Sequence, residues 1–192
     1  ETLTYHFERH LDDPRIGHEL VLEVDDFGNV RRSATIGYGR RPEHALPGKD
    51  GEKQKMLLCT CTDNGFTNFI DAEDSYRGRM LSEARTYELT GLPCGSRLSI
   101  DEVDTAIGNA LEIPYEESPT GGLQKRLIEH VRMLYRRDDL NGALPLHQVE
   151  PRALPFETHK LAFTVGLIEQ IFGDRVTDAM LRDAGCYLHS EG

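Results

Sequence analysis

Hydrophobic and polar positions alternate with a period of two in the first third of the chain, which predicts β-strands. Residues 19–24 and 30–38 both follow this alternation, and the turn residues Gly28 and Asn29 lie between them. Glycine and asparagine adopt positive φ more readily than other residues, so they suit a tight connection. The pattern therefore predicts an antiparallel β-hairpin at this place.

Two further strands are expected at about 56–62 and 80–89, where β-prone side chains recur. Residues 40–55 combine prolines, glycines and charged side chains without an apolar period. Such a stretch is typical of a connection on the surface, so we expect a loop there.

The apolar period changes from 2 to 3.6 near Ser99, which predicts helices in the rest of the chain. Ser99 and Glu102 form the S-x-x-E pattern of a capping box, and apolar residues follow at helical spacing until Pro114. Shorter helices are expected at about 164–172 and 177–184, each followed by a glycine.

The longest apolar stripe at helical spacing lies at 123–137, and it predicts a helix with one buried face. Its members expected in the core include Leu127, Val131 and Leu134. The opposite face is basic, and we interpret it as a solvent-exposed face that pairs with nearby carboxylates. The basic residues are Lys125, Arg126, Arg132, Arg136 and Arg137.

These periods together predict an α+β fold, with antiparallel β-hairpins in the N-terminal half and helices packed on the sheet in the C-terminal half. Residues 1–192 are expected to form a single segment that is strand-rich over 1–95 and helix-rich over 96–192. Alternation is already present at Leu3, Tyr5 and Phe7 without a preceding methionine. We therefore expect an excised piece of a larger protein.

The charge of the chain disfavours two classes of partner. Its 192 residues include 33 acidic and 22 basic side chains, which gives a formal net charge of −11. Nucleic acids and anionic lipid surfaces are repelled by such a chain on average. The apolar runs are far shorter than the roughly 20 residues of a membrane-spanning helix, so direct membrane insertion is not expected.

Four cysteines raise the question of a metal site, and they stand at Cys59, Cys61, Cys94 and Cys186. With His189 they provide enough ligands for zinc. Zinc knuckles, however, usually space their cysteines two to four residues apart, and Cys59 and Cys61 lie in an apolar strand where both point to one face. We therefore predict buried free thiols and no metal site.

The remaining chemistry is sparse, because the chain has no recognisable catalytic motif and its eight histidines are scattered. Gly37 and Gly39 resemble the start of a dinucleotide fingerprint, but Pro42 interrupts the helix that should follow. Cys94 lies in a turn, and a hydrolase that pairs it with a remote histidine is kept as the alternative function. No catalytic, cofactor-binding or metal-binding residue is predicted.

Several blocks of the sequence resemble one known family, and the hairpin Asp25-Asp26-Phe27-Gly28-Asn29 is part of the first block. The blocks stand in chain order at 22–30, 36–41, 84–91, 124–130, 134–140, 152–163 and 175–181. In this order and spacing they resemble the middle to C-terminal region of the B component of bacterial insecticidal toxin complexes, the TcdB and TcaC type. The hairpin is similar to a single Rhs or YD repeat, with Val24 where the repeat usually has tyrosine.

The resemblance implies a piece of a larger β-shell of Rhs-type repeats, which encloses the toxic C-terminal part of the C component for delivery. The implied partners are the C component, the remainder of the B component and, indirectly, the A component. The implied location is a secreted, extracellular toxin complex, and no cofactor is implied. Our main hypothesis is therefore a non-catalytic structural segment. A carbohydrate-binding module is the third possibility, but the chain has no tryptophan and only 7% aromatic residues, so it lacks the usual stacking surface.

Overall fold

The computed structural model describes residues 1–7, 11–93, 96–185 and 187–188. It contains ten strands and four α-helices in these ranges. The strands before residue 95 are β1 (Thr2–His6), β2 (Arg15–Val24), β3 (Val30–Gly37), β4 (Leu58–Phe66), β5 (Ile70–Ala72), β6 (Ser75–Arg77) and β7 (Leu81–Thr90). The later strands are β8 (Leu111–Glu112), β9 (Gln124–Arg136) and β10 (Leu154–Lys160). The helices are α1 (Lys49–Lys55), α2 (Ile100–Asn109), α3 (Val165–Phe172) and α4 (Asp178–Gly185).

The main sheet has the strand order β1-β2-β3-β4-β7-β9-β10, and every neighbouring pair in this order is antiparallel. The short β8 pairs with β9 in the parallel direction, and β5 and β6 form a separate small hairpin. The α+β fold predicted from the sequence is confirmed.

The predicted hairpin is formed by β2 and β3, and Asp25 holds its turn together. The Oδ1 atom of Asp25 accepts hydrogen bonds from the backbone N–H groups of Phe27 at 3.0 Å and Asn29 at 2.9 Å. Gly28 has a φ of 81°, which is the conformation that the sequence required at this turn.

One face of the sheet is covered by α2, and the main hydrophobic core lies between them. Alternate residues of β2, β3, β4 and β7 point into this core. Val103 and Ile107 pack into it from the side of α2. The core residues with least exposure are Ile36, Val103, Leu20, Cys61, Leu89, Cys59, Ala34 and Leu98. The opposite face of the sheet carries hydroxyl side chains, including Thr62 and Thr86, whose Oγ1 atoms are 3.2 Å apart.

The helix termini follow their sequence signals. The Ser99 side chain accepts a hydrogen bond from the Glu102 N–H at 3.3 Å, and the Ser99 N–H donates to the Glu102 carboxylate at 2.7 Å, which completes the predicted capping box of α2. Thr164 caps the N-terminus of α3, and Gly173 follows its last residue with a φ of 53°. Neither α3 nor α4 contributes a buried residue, so α2 is the helix that packs on the sheet.

The predicted helix at 123–137 is wrong, because this segment is the strand β9, which pairs with β7 on one side and β10 on the other. Pairing on both sides satisfies its backbone as a helix would. A bulge opposite Thr86 and Tyr87 also shifts the alternation, which hides the strand period in the sequence. Leu127 contacts the main core but is half-buried, and Val131 and Leu134 are half-buried outside it.

The prediction of a loop at 40–55 is wrong in part, because Lys49–Lys55 form the short helix α1. The sequence of α1 has no apolar stripe, because the helix is held by contacts of its main chain. The Arg40 N–H, for example, donates a hydrogen bond to the Gln54 carbonyl at 2.7 Å. Gly51 is buried against the Leu46 carbonyl, where a Cβ atom would collide. Backbone packing of this kind leaves no side-chain period to detect.

No helix among the described residues has the length and apolar character needed to cross a membrane.

Candidate functional site

The two cysteines considered as metal ligands are buried free thiols in β4. Cys59 and Cys61 point to the same face and are 2% and 1% exposed. Burial raises the pKa of Cys59 to about 12 and that of Cys61 to about 11. Both thiols are therefore protonated at neutral pH, which removes the thiolate that metal binding and nucleophilic attack require.

The other cysteine chemistry falls outside the described residues, which include neither Cys94 nor Cys186, nor His189. The alternative hydrolase that uses Cys94 therefore concerns a residue outside the described ranges. Across the part of the chain that the structure describes, no group of three histidine, cysteine, aspartate or glutamate side chains is placed to hold a metal ion.

The structure does bring two of the scattered histidines together, around the carboxylate of Glu83 in β7. His130 comes from β9, which lies beside β7, and its Nε2 atom is 2.7 Å from Glu83 Oε1. His147 comes from the connection between β9 and β10, and its Nε2 atom is 3.5 Å from Glu83 Oε2. The sequence analysis did not detect this cluster.

Two arginines complete the cluster. Arg85 lies two residues from Glu83 on the same face of β7, and its Nη2 atom donates to Glu83 Oε1 at 3.1 Å. Arg132 lies directly across from Glu83 on β9 and donates from Nε at 3.2 Å. Four cationic or protonatable side chains from three parts of the chain thus surround one carboxylate whose side chain is 7% exposed.

The surroundings of Glu83 fix its ionisation state. Burial alone raises the pKa of Glu83, but the hydrogen bond with His130 and the contacts of Arg85 and Arg132 outweigh burial and hold the pKa below its ordinary value. Glu83 is therefore a carboxylate at neutral pH and joins β7, β9 and the connection that carries His147.

Ser82 precedes Glu83, so the structure places a serine, a histidine and a carboxylate in one region. The Ser82 hydroxyl donates to the Met133 carbonyl at 3.2 Å and accepts from the His147 backbone N–H at 3.1 Å. Its side chain is completely buried. A hydroxyl occupied by the main chain on both sides is a structural link between segments and not an activated nucleophile.

His18 is fully buried, unlike the two histidines of the Glu83 cluster, and it lies near the other end of the sheet. Its Nδ1 atom is 3.0 Å from the Tyr38 hydroxyl, and that hydroxyl also accepts from the Leu98 backbone N–H at 3.0 Å. The Nε2 atom of His18 lies 3.5 Å from the Glu1 carboxylate. This arrangement ties β2, β3 and the segment before α2 together.

With the hairpin turn and the sheet described, the comparison with known proteins is direct. Residues 1–79 match the family model of the insecticide toxin TcdB middle/C-terminal region. The match covers 79 of the 192 residues, and over these residues the chain is similar to the TcdB type. The recognition made from the sequence blocks is confirmed.

Solved structures of toxin complexes share the fold over nearly the whole chain. The crystal structure of TcdB2-TccC3 without its hypervariable C-terminal region matches 94% of the chain, with a TM-score of 0.66 and 16% identity. The Photorhabdus luminescens Tc holotoxin pore matches 94% with a TM-score of 0.65 and 16% identity. The TcdB2-TccC3-Cdc42 crystal structure matches 94% with a TM-score of 0.60 and 16% identity.

The chain spans 8% of the first two matched chains and 9% of the third. Sixteen per cent identity shows a shared fold, so the resemblance beyond residue 79 rests on the fold and the sequence blocks. No curated protein matches the chain.

Proposed function

We propose that this TcdB-type chain is a non-catalytic wall segment of a shell that encloses the toxic part of the C component of an insecticidal toxin complex. The observation that carries the proposal is the fold shared over 94% of the chain with TcdB2-TccC3, at a TM-score of 0.66. The partners proposed with this function are the C component, the remainder of the B component and, indirectly, the A component. The proposed location is a secreted toxin complex.

The architecture supports a wall in two ways. The sheet ends in β1 on one side and in β10 on the other, and among the described strands each of these pairs with one neighbour only. Such edges carry unpaired main-chain groups that further strands of a shell can continue. The ion pair between Glu88 and Arg126, at 2.6 Å, links β7 to β9 across the face opposite α2.

The chemistry of the described residues supports a non-catalytic role. The thiols of Cys59 and Cys61 are buried and protonated, and the Ser82 hydroxyl is bound to the main chain on both sides. The Glu83 carboxylate has its hydrogen-bond partners within the cluster, namely His130, Arg85 and Arg132. These groups stabilise the sheet, and the proposed function needs no cofactor, no nucleic acid and no direct membrane insertion.

The test of the wall uses labelling of one face at a time in the full B component assembled with its C component. Thr35 lies on the face opposite α2, and Thr105 is exposed on α2, so Thr35→Cys and Thr105→Cys place matched thiols on the two sides of the segment. Cys94 and Cys186 are replaced by serine in both variants to remove background thiols. A bulky maleimide should label both variants in free chain.

After assembly, the luminal thiol should be protected while the outer thiol still reacts. Equal labelling of both thiols in the assembled complex would contradict the proposal that this segment is part of the shell wall. The non-catalytic part is tested separately with generic ester and peptide substrates, for which we expect no turnover. Turnover that is abolished by Cys94→Ala would establish the hydrolase instead.

A further inference from the structure

A cleft of about 340 Å³ lies at the end of the sheet near the β2–β3 turn, next to the Glu83 cluster. It is formed by the turn, β3, β4, the start of β7 and the connection that carries His147. Its lining is Asp25, Arg31, Asp63, Asn64, Gly65, Phe66, Arg79, Glu83, Arg85 and His147.

Two of the three carboxylates that line this cleft are more buried than its three arginines. Three arginines and three carboxylates line it, so its formal charges balance when His147 is neutral. The side chains of Arg31, Arg79 and Arg85 are 55%, 40% and 43% exposed. Those of Asp25 and Glu83 are 8% and 7% exposed.

The third carboxylate, Asp63, is partly exposed but is already paired. Its Oδ1 atom accepts from Arg32 Nε at 2.7 Å. An incoming molecule therefore meets mainly arginine N–H groups in this cleft, although the chain as a whole carries a net charge of −11. A group of exposed arginines in so acidic a chain is a local feature that overall charge does not explain.

Arg79 is held in place for binding by an aromatic ring. Its guanidinium lies over Phe27 at 5.1 Å from the ring centroid, and Phe27 packs on Phe69 with centroids 4.8 Å apart. Among the described residues, its charged contact is Asp25 at 3.9 Å, which is longer than a hydrogen bond. The planar fork of Arg79 is thus oriented by stacking, and its N–H groups remain available to a ligand.

Arg85 and His147 form the other side of the cleft. Arg85 uses Nη2 to contact Glu83, which leaves its other N–H groups for a ligand. His147 lies over Gly65, where a Cβ atom would come within 2.7 Å of the imidazole Cε1. The absence of a side chain at position 65 is therefore what allows the imidazole to approach β4.

We propose that this cleft binds carboxylate groups presented by an acidic peptide segment of a partner protein. A guanidinium pairs with a carboxylate through two parallel N–H···O bonds, and Arg79 and Arg85 can each provide such a pair. The guanidinium donors of the cleft come from β3, from the segment just before β7 and from β7 itself, so they suit side chains spaced along a peptide better than one compact phosphate. The cleft volume is at the small end for ligand sites, which matches one or two acidic side chains. The proposal is independent of the wall function.

The test measures fluorescence anisotropy of a short labelled peptide of alternating glutamate and glycine, at low ionic strength, against the full chain. A matched peptide with glutamine in place of glutamate is the ligand control. Replacing both cleft arginines, Arg79→Gln with Arg85→Gln, should weaken binding at least about tenfold. Arg182→Gln removes the same charge from the exposed Arg182 of α4 and should leave binding unchanged.

Two single variants keep the test decisive if the double variant does not fold, which far-UV circular dichroism checks. Arg79→Gln alone should weaken binding several-fold, and Arg79→Lys should weaken it also because lysine keeps the charge but lacks the planar fork. Equal binding of the glutamine peptide, equal loss in Arg182→Gln, or no binding of the glutamate peptide would overturn the proposal. Inorganic phosphate is titrated in parallel. Phosphate binding that depends on Arg79, without binding of the glutamate peptide, would overturn the peptide proposal and indicate a site for a free oxyanion.

Discussion

Replacing Leu89 with alanine tests whether the core between α2 and the sheet holds this chain together. Leu89 lies in β7 opposite Cys59 and is 2% exposed. The substitution removes three buried carbon atoms, which corresponds to about 2.4 kcal/mol of lost transfer free energy at about 0.8 kcal/mol each. The cavity left behind adds to this loss, so the free energy of unfolding should fall by about 2.5–5 kcal/mol.

The matched control for this prediction is Leu58→Ala on the neighbouring strand β4. Leu58 is 62% exposed, so the same deletion there should cost less than about 0.5 kcal/mol. Urea unfolding is followed by far-UV circular dichroism, since the chain has no tryptophan for fluorescence. A loss under about 1 kcal/mol for Leu89→Ala, or equal losses for the two variants, would mean that α2 does not seal the core as described.

Four further outcomes follow from named contacts. Leu127→Ala should cost clearly less than Leu89→Ala in the same unfolding assay, because Leu127 is half-buried. Ser99→Ala removes the N-cap of α2 and should lower the free energy of unfolding by about 0.5–2 kcal/mol, with a matching fall in Tm. The thiols of Cys59 and Cys61 should react with a disulfide reagent only after unfolding, because burial keeps them protonated; rapid reaction of folded chain would contradict this. The folded-state pKa of Glu83 is lowered, so its stabilisation is present above its ordinary pKa of 4.5 and is lost as the pH falls through the lowered value. Glu83→Gln should therefore cost about 1.5–3 kcal/mol at neutral pH and flatten the acid limb of the stability profile.

Local signals in the sequence were sufficient for the features that depend on few residues. The β2–β3 hairpin follows from Gly28 and its neighbours, and the start of α2 follows from Ser99 and Glu102. The ends of α3 and α4 were also found within a residue or two. In each case the deciding interaction lies within about one helical turn or one tight turn, where a sequence pattern can report it directly.

The strand β9 shows why the longest apolar stripe was misleading. A segment that is paired on both sides and meets the core on part of one face needs apolar residues at several spacings. Its bulge opposite Thr86 and Tyr87 then brings these spacings close to a helical period. Non-local pairing with β7 and β10 decides the conformation, and a single sequence does not contain that information.

The same change of conformation gives the basic residues of β9 a different meaning. On a helix they would share one solvated face, but on β9 the strand alternation and the bulge opposite Thr86 and Tyr87 distribute them over both faces of the sheet. Arg126 meets Glu88 on the face opposite α2, whereas Arg132 meets Glu83 on the α2 face. Glu83 and Glu88 of β7 are thus paired with arginines on both faces of the sheet. This pairing reduces the repulsion between carboxylates in an acidic chain. Where Glu83 and Asp25 are buried behind such contacts, the exposed arginines around them determine the charge that a partner meets. The net charge of −11 therefore describes the chain as a whole, while the register of β7 with β9 decides which charges remain on the surface of the cleft.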